Sequence, residues 1–447
     1  MIKKYKAGEI KKLHVLIRVV LSGLLAVCSS IKLHAQDKTV HTESPRKWKI
    51  EHGKFYENGE WVFLKIAKPL LNFTDSNSVA QFTSELDMLK SKSYNTIEIN
   101  CYWHQFDRDG NGTIDVSLAP LNRLIYAIYD AGMYPCLSVE TYSIGGGLVP
   151  EGFWTKYPDA QAIDSEGKQI QDDEYGTETG HHAKVVSIYH TAYQNATRTF
   201  IKNLARSIDT DKILYFETTV EPQFLGIYNT CYSASAKEAY STWRRTNDIA
   251  DAESEMPDQF PIPQSFMENE TWNRFRAESL AQWVNGDALA YREISGPNAY
   301  IAVDVNDAEP TKNRNRLGNP AEFLKHLHTV SIIQLPGHWW NGPNKAAYQR
   351  VWEANRLYQR DWAITEHMTF NGLFNAAYDT PMLSEILMNT IKNGTRFGWE
   401  FTNVDNKSKD VFTLYNDDWS PKRAMALVDE NWTYWLNQIQ IEEHTSR

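Results

Sequence analysis

Cysteine is scarce in this chain. There are four in 447 residues, and Cys28 lies in an apolar stretch near the N-terminus. The other three, Cys101, Cys136 and Cys231, have no zinc-ligand spacing, and an odd count cannot build a full disulfide framework. They read as buried thiols behaving as small apolar side chains. Basic charge is also short, with 46 Lys and Arg against 56 Asp and Glu. An acidic surface argues against nucleic acid and against unaided binding to anionic membranes or polymers. There is no low-complexity block and no short repeat, and no glycine-rich phosphate turn follows the first strand-like segment. The last absence disfavours a doubly wound nucleotide-binding sheet.

Apolar residues at 42% and charged residues at 23% are a globular composition. Aromatics reach 13%, with 15 Trp and 23 Tyr. That supply suits a groove that stacks on sugar rings, although core filling uses the same residues.

The first 36 residues read as a secretory signal. "MIKKYKAGEIKKLHVLIR" is basic, "VVLSGLLAV" is apolar, and "CSSIKLHAQD" turns small and polar, with cleavage expected near Ala35 or Gln36. The apolar stretch is too short for membrane insertion as a stable span. A lipid anchor at Cys28 is the lesser alternative, because Val27 is bulkier than the residue usual at that position. Residues 1–35 carry seven Lys or Arg and one Glu, so the remainder holds 39 basic and 55 acidic residues, a net charge of −16. A secreted or periplasmic location is expected.

From residue 37 the chain alternates strand-like and helix-like segments. An opening hairpin, "GKFYENGE", leads to "WVFLKIAKP". Further strands are expected at "NTIEINCYW", "MYPCLSVETY", "DKILYFETTVEP", "NAYIAVDVND", "TVSIIQLPGHWW", "DWAITEHM" and "GTRFGWEFTN". Eight short apolar strands separated by helix-length segments predict a single (β/α)₈ TIM barrel over residues 37–447. Between strands four and five, residues 225–297 are too long for a simple crossover and predict a long helical excursion. An open doubly wound sheet is the structural alternative.

Active sites of such barrels sit at the C-terminal ends of the strands. Tyr102, Trp103, His104, Glu140, Tyr142, Glu221, Asp304, Asp307, His338, Trp339, Trp340, Glu366, His367 and Trp399 all fall there. Glu221 follows the fourth strand and Glu366 ends the seventh, across the mouth from it. Two carboxyls flanking one bond are what glycoside hydrolysis requires, one protonated and one ionised. No organic cofactor and no metal is called for. His182, beside His181 in the loop after strand three, suits a sugar hydroxyl or a sulfate. "DRDGNGTIDVSL" mimics a calcium loop from Asp107 to Asp115, but Leu118 replaces the bidentate glutamate at its twelfth position and the flanking helix pair is missing. It reads as a tight turn.

Over roughly residues 50–435, "FYENGEWVFLKIAKP", "NTIEINCYWHQFDRDGNGTID" and Trp399 on the last strand resemble the retaining clan A barrel glycoside hydrolases. The helical excursion, with "CYSASAKEAYSTWRRTN" and "WNRFRAESLAQWV", is most similar to the family 42 β-galactosidases. This resemblance implies Glu221 as acid/base and Glu366 as nucleophile, with an oligo- or polysaccharide as substrate. Tyr102, Trp103, His104, Glu140, His182, His338, Trp339, Trp340 and Trp399 are then the expected sugar contacts. Two departures stand out. Val220 occupies the position where most of the clan has an Asn that bonds the sugar 2-hydroxyl, and the chain ends soon after its last barrel helix, without the further domains of family 42.

The resulting expectation is hydrolysis of a β-linked galactoside or related hexoside, with a modified or sulfated algal galactan fitting Val220. The alternative is a carbohydrate-binding barrel that has lost catalysis. A metal-dependent barrel hydrolase would want His-x-His on the first strand, which is absent. No oligomeric state is implied.

Overall fold

In the computed structural model, residues 46–142, 148–172, 183–225, 230–305, 316–334, 380–392, 394–402, 404 and 414–445 are described. The contacts divide the chain into Met1–Lys47 and Trp48–Arg447, and the barrel lies wholly within the second unit.

Three short antiparallel strands come first: β1 (Trp48–Glu51), β2 (Lys54–Glu57) and β3 (Glu60–Val62). Both turns use a pair of residues at positive φ, His52–Gly53 and Asn58–Gly59. Such pairs twist with the flanking strands, which is why Asn-Gly is a strong hairpin signal. A parallel sheet follows, made of β4 (Leu64–Lys68), β5 (Thr96–Tyr102), β6 (Tyr134–Glu140), β9 (Phe216–Glu217), β10 (Ile301–Asp304), β11 (Ile332–Gln334) and β12 (Gly398–Thr402). A two-stranded ribbon, β7 (Gln171–Asp172) with β8 (Ala183–Lys184), decorates the crossover after β6.

The sheet order is β11-β10-β9-β6-β5-β4-β12. Its two edge strands nevertheless touch across the interior, since Gln334 Nε2 on β11 donates to Glu400 Oε2 on β12 at 3.4 Å. The sheet is therefore rolled, and with its helices it forms a TIM barrel. Seven of the eight expected strands are found; "DWAITEHM" lies outside the described residues.

Side-chain parity assigns every strand two faces. Leu64, Ile66, Cys136, Tyr215, Ala302 and Ile332 point inward and pack with Phe55 of the hairpin, which closes the bottom of the barrel. Their neighbours Ala67, Leu137, Phe216, Val303 and Ile333 point outward into the larger core beneath the helices. The helical excursion is present as Ala234–Thr246, Gln264–Met267 and the long helix Glu270–Ser295, with a core of its own around Tyr240, Phe266, Trp272 and Phe275. Asn269 caps the long helix by accepting from the amides of Thr271 and Trp272. Among the described residues no helix is long and apolar enough to cross a membrane. Cys101, Cys136 and Cys231 are buried free thiols.

Candidate active site at the barrel mouth

Above the apolar floor the lumen becomes charged. Lys68, the last residue of β4, places its Nζ 2.6 Å from Glu98 Oε1, 3.1 Å from Glu217 Oε2 and 3.8 Å from Glu400 Oε1. The Tyr215 hydroxyl donates to Glu98 Oε2, and Gln334 Nε2 donates to the same oxygen at 3.3 Å. These groups are fully buried, so the charges must be shared out.

Burial opposes ionisation of Glu98, but the Lys68 ammonium and hydrogen bonds from Glu217, Lys68 and Tyr215 outweigh it and push the carboxyl down to about 2. Burial, reinforced by the charges of Glu98 and Glu400, pushes Glu217 well above the carboxylate range despite Lys68. Lys68 is held charged because Glu217, Glu400, Glu98 and Glu140 overcome its desolvation. Lys68 is thus held as an ammonium, and the carboxyls beside it are pushed in opposite directions, Glu98 down and Glu217 up.

Higher in the lumen, Asn100 Nδ2 donates to the Tyr102 hydroxyl at 3.2 Å. Tyr102 pairs in register with Glu140 on β6, so both stand at the mouth with their strands' inward sets. Asp304 ends β10 with the same parity.

Glu221 lies four residues beyond the end of β9 and is only 8% exposed. Its backbone has φ +49, in the left-handed region that a non-glycine residue enters at a cost. Gln223 Nε2 donates to Glu221 Oε2 at 3.2 Å, and Arg316 Nη1 donates to Gln223 Oε1 at 2.8 Å. All three side chains are buried. This relay fixes where the carboxyl points. Val220 beside it is buried and brings no donor.

Two aromatics expected as sugar contacts sit elsewhere. Trp399 has outward parity on β12, is 1% exposed, packs against Phe63, Trp432 and Trp435, and donates Nε1 to Thr390 Oγ1 at 3.1 Å. It is core, and Glu400 beside it is the inward residue. Trp103 is fully buried among Phe153, Tyr193 and Phe200 and donates Nε1 to Asp107 Oδ2 at 2.8 Å. His104 remains partly exposed at the rim, its ring 5.9 Å from that of Tyr102. Glu366, His182, His338, Trp339, Trp340, His181, Asp307 and His367 lie outside the described residues.

The calcium-like loop is satisfied internally. Asp107 accepts from Trp103, from the Gly112 amide at 2.6 Å and from the Asn111 amide at 3.3 Å, while Asp115 Oδ2 accepts from the Arg108 amide. Elsewhere among the described residues, Glu278, Glu322 and His326 could bring ligand atoms to one metal ion. Glu278 is already engaged by Arg274 at 2.8 Å and Trp243 at 2.7 Å, and Glu322 by Lys325. The group works as an ion-pair network tying the long helix to Pro320–His326.

Sequence reasoning misses Lys68, Glu98, Glu217, Glu400, Gln223 and Arg316 as site residues. For the strand glutamates a signal is present: a lone charged residue inside an otherwise apolar strand, as in "TIEINCY" and "GWEFT", is expensive to bury and needs a partner.

The fold is a TIM barrel whose lumen carries a buried charged layer beneath its mouth. The chain is similar in structure to the catalytic domain of a beta-amylase from Paenibacillus polymyxa (TM-score 0.61, 12% identity, 82% of this chain and 97% of that one). It is also similar to Gan42B, a GH42 beta-galactosidase (TM-score 0.62, 15% identity, 88% of this chain), and to a beta-galactosidase from the psychrophilic Marinomonas ef1 (TM-score 0.58, 9% identity, 84% of this chain). The chain spans 59% and 60% of those two galactosidases. No protein-family model matches the sequence, and no curated protein matches it.

Proposed function

We propose that this protein is a secreted or periplasmic retaining glycoside hydrolase acting on a β-linked galactoside or related hexoside. In the proposed reaction Glu366 attacks the anomeric carbon while Glu221 donates its proton to the leaving oxygen. Glu221 then takes a proton from the water that releases the sugar. The observation that carries the reading is Glu221 itself: nearly buried at the mouth, held at positive φ, and oriented by Gln223 and Arg316. Strain of that kind persists where the surroundings over-determine a geometry, as at catalytic positions. The likeness to beta-amylase and beta-galactosidase barrels supports the same class. Retention would need the two carboxyls ~5 Å apart, inversion ~6.5–9.5 Å.

The test compares wild type, Glu221→Ala and Glu366→Ala on alkyl and nitrophenyl β-galactosides. Loss of the acid should slow alkyl glycosides by roughly 10²–10⁴-fold and spare bond cleavage in nitrophenyl glycosides, whose leaving group needs no proton. Full turnover of alkyl glycosides by Glu221→Ala would sink its role, and turnover by Glu366→Ala would sink the double displacement. A second reading, a sugar-binding barrel that no longer hydrolyses, draws on Val220, which leaves the sugar 2-position without the usual amide partner. Tight binding with no turnover would select it.

A further inference from the structure

The segment after Glu221 and the segment that carries Arg316 rest on one turn of the long helix Glu270–Ser295, from Asn273 to Ala277. Gly318, at φ +73, lies so close to this turn that a Cβ would come within 2.4 Å of the Asn273 carbonyl oxygen and 2.8 Å of the Ala277 nitrogen. Arg276, on the same turn, is fully buried. Its Nε donates to the Thr230 carbonyl at 2.7 Å, its Nη1 donates to Asn273 Oδ1 at 2.9 Å, and its guanidinium carbon stands 4.5 Å from the Phe224 ring centroid. Tyr189 stacks on both Phe224, at 6.1 Å, and Phe275 of the long helix, at 5.3 Å. The two segments are also joined directly, because the Phe224 amide donates to the Arg316 carbonyl at 2.9 Å.

This frame dictates how Gln223 is turned. An arginine side chain only donates, so Gln223 must present its Oε1 to Arg316 Nη1 and its Nε2 to Glu221 Oε2. Arg316 therefore sets the amide, and the amide sets the carboxyl. Two residues beyond Arg316, the close approach of Gly318 to the helix backbone sets where that arginine begins. A continuous set of contacts thus runs from the excursion helix to Glu221 without passing through a barrel strand.

We infer that Gln223, Arg316 and Gly318 are positioning residues for the acid, and that the long helix of the excursion is the frame against which they act. The inference rests on the glycosidase reading of Glu221. Proton donation to a leaving oxygen requires the carboxyl within hydrogen-bond reach of it, and a misplacement of about 1 Å can cost on the order of a hundredfold. A nitrophenyl leaving group makes no such demand, because it departs without a proton.

The test compares kcat/KM on alkyl and nitrophenyl β-galactosides for wild type, Gln223→Met, Arg316→Met, Arg316→Lys and Gly318→Ala. Gln223→Met keeps the length of the side chain and removes the donor. It and Arg316→Met should cut the alkyl value by roughly tenfold more than the nitrophenyl value. Arg316→Lys keeps a donor for Gln223 Oε1 and should recover part of that loss. Gly318→Ala, remote from the reacting atoms, should show the same bias toward the nitrophenyl substrate. Combined with Gln223→Met it should add little, because both changes act on one carboxyl through one set of contacts. Equal losses on the two leaving groups mark a structural role alone and overturn the inference. No loss in Gln223→Met overturns it too, as do losses that multiply in the double variant. Should Gly318→Ala fail to fold, the Gln223 and Arg316 variants decide by the same criterion. Wild type that cleaves both glycosides beside such variants keeps the hydrolase and removes the inference. Wild type that cleaves neither removes the hydrolase reading and the inference with it.

Discussion

Lys68 is one ammonium among three carboxyl groups in a fully buried space, and its neighbours' protonation depends on it. With Lys68 present, Glu98 is pushed towards ionisation and Glu217 away from it. Lys68→Met retains length and apolar bulk while removing the charge. Breaking a buried ion pair from one side typically costs ~3–5 kcal/mol, because the remaining charge has no compensation. We expect a loss of that size in denaturant unfolding at pH 7, with the slope on denaturant unchanged. A loss under about 1 kcal/mol, the scale of one ordinary hydrogen bond, would mean that Glu98 is already neutral and that the layer is held by hydrogen bonds alone. Glu221 presents the opposite situation. Its backbone is the strained feature, and Gln223 with Arg316 supplies the order.

Among the structural elements, the loop after β5 shows what the glycines of a tight turn do. Its aspartates and glycines have calcium-loop spacing, but the glycines serve close packing. Gly112 has φ +89, and a Cβ there would lie 2.5 Å from Thr199 Cβ on the helix Thr191–Arg206. Gly59 in the hairpin has φ +90 with nothing within 4 Å. Gly59→Ala therefore incurs only the backbone penalty, ~1 kcal/mol, whereas Gly112→Ala adds the clash and should cost at least twice as much. Thermal unfolding of the two variants under identical conditions checks this, and equal shifts would show that the helix yields. Strand positions are legible in the sequence because each is a short apolar run between helix-length segments. Inward and outward faces are not. Strands buried on both sides lack polar alternation, so in "GWEFT" only the charge of Glu400, which needs a partner when buried, separates it from Trp399 as the residue that enters the lumen. The same ambiguity draws Trp103 to the mouth, where only its neighbours Tyr102 and His104 stand. Glu221 falls beyond the last apolar residue of its strand, where parity does not matter.

Taken as a whole, the molecule sets Glu98 against two buried carboxyls that are pushed up, Glu217 and Asp287, in its response to pH. Glu98, pushed down to about 2, adds stability that is present above its unfolded value of 4.5 and is lost as pH falls through about 2. Asp287, on the long helix, has the opposite sign. Burial pushes it up to about 7 even though Arg198 Nε of the neighbouring helix lies 3.4 Å away. Its contribution is complete below the unfolded value of 3.8, declines as pH rises, and is gone above about 7. A rise of that size corresponds to roughly 4 kcal/mol. Stability should therefore fall between about pH 4 and pH 7, where an acidic chain also begins to repel itself. Salt separates the two causes, since surface repulsion is screened at about 0.5 M and a buried proton equilibrium is screened much less. Wild type unfolded in denaturant at several pH values should keep its decline in high salt, and Asp287→Asn should lessen it, leaving the part that Glu217 contributes. A variant that declines as steeply as wild type would place the titrating group elsewhere and leave Asp287 ionised against Arg198 throughout.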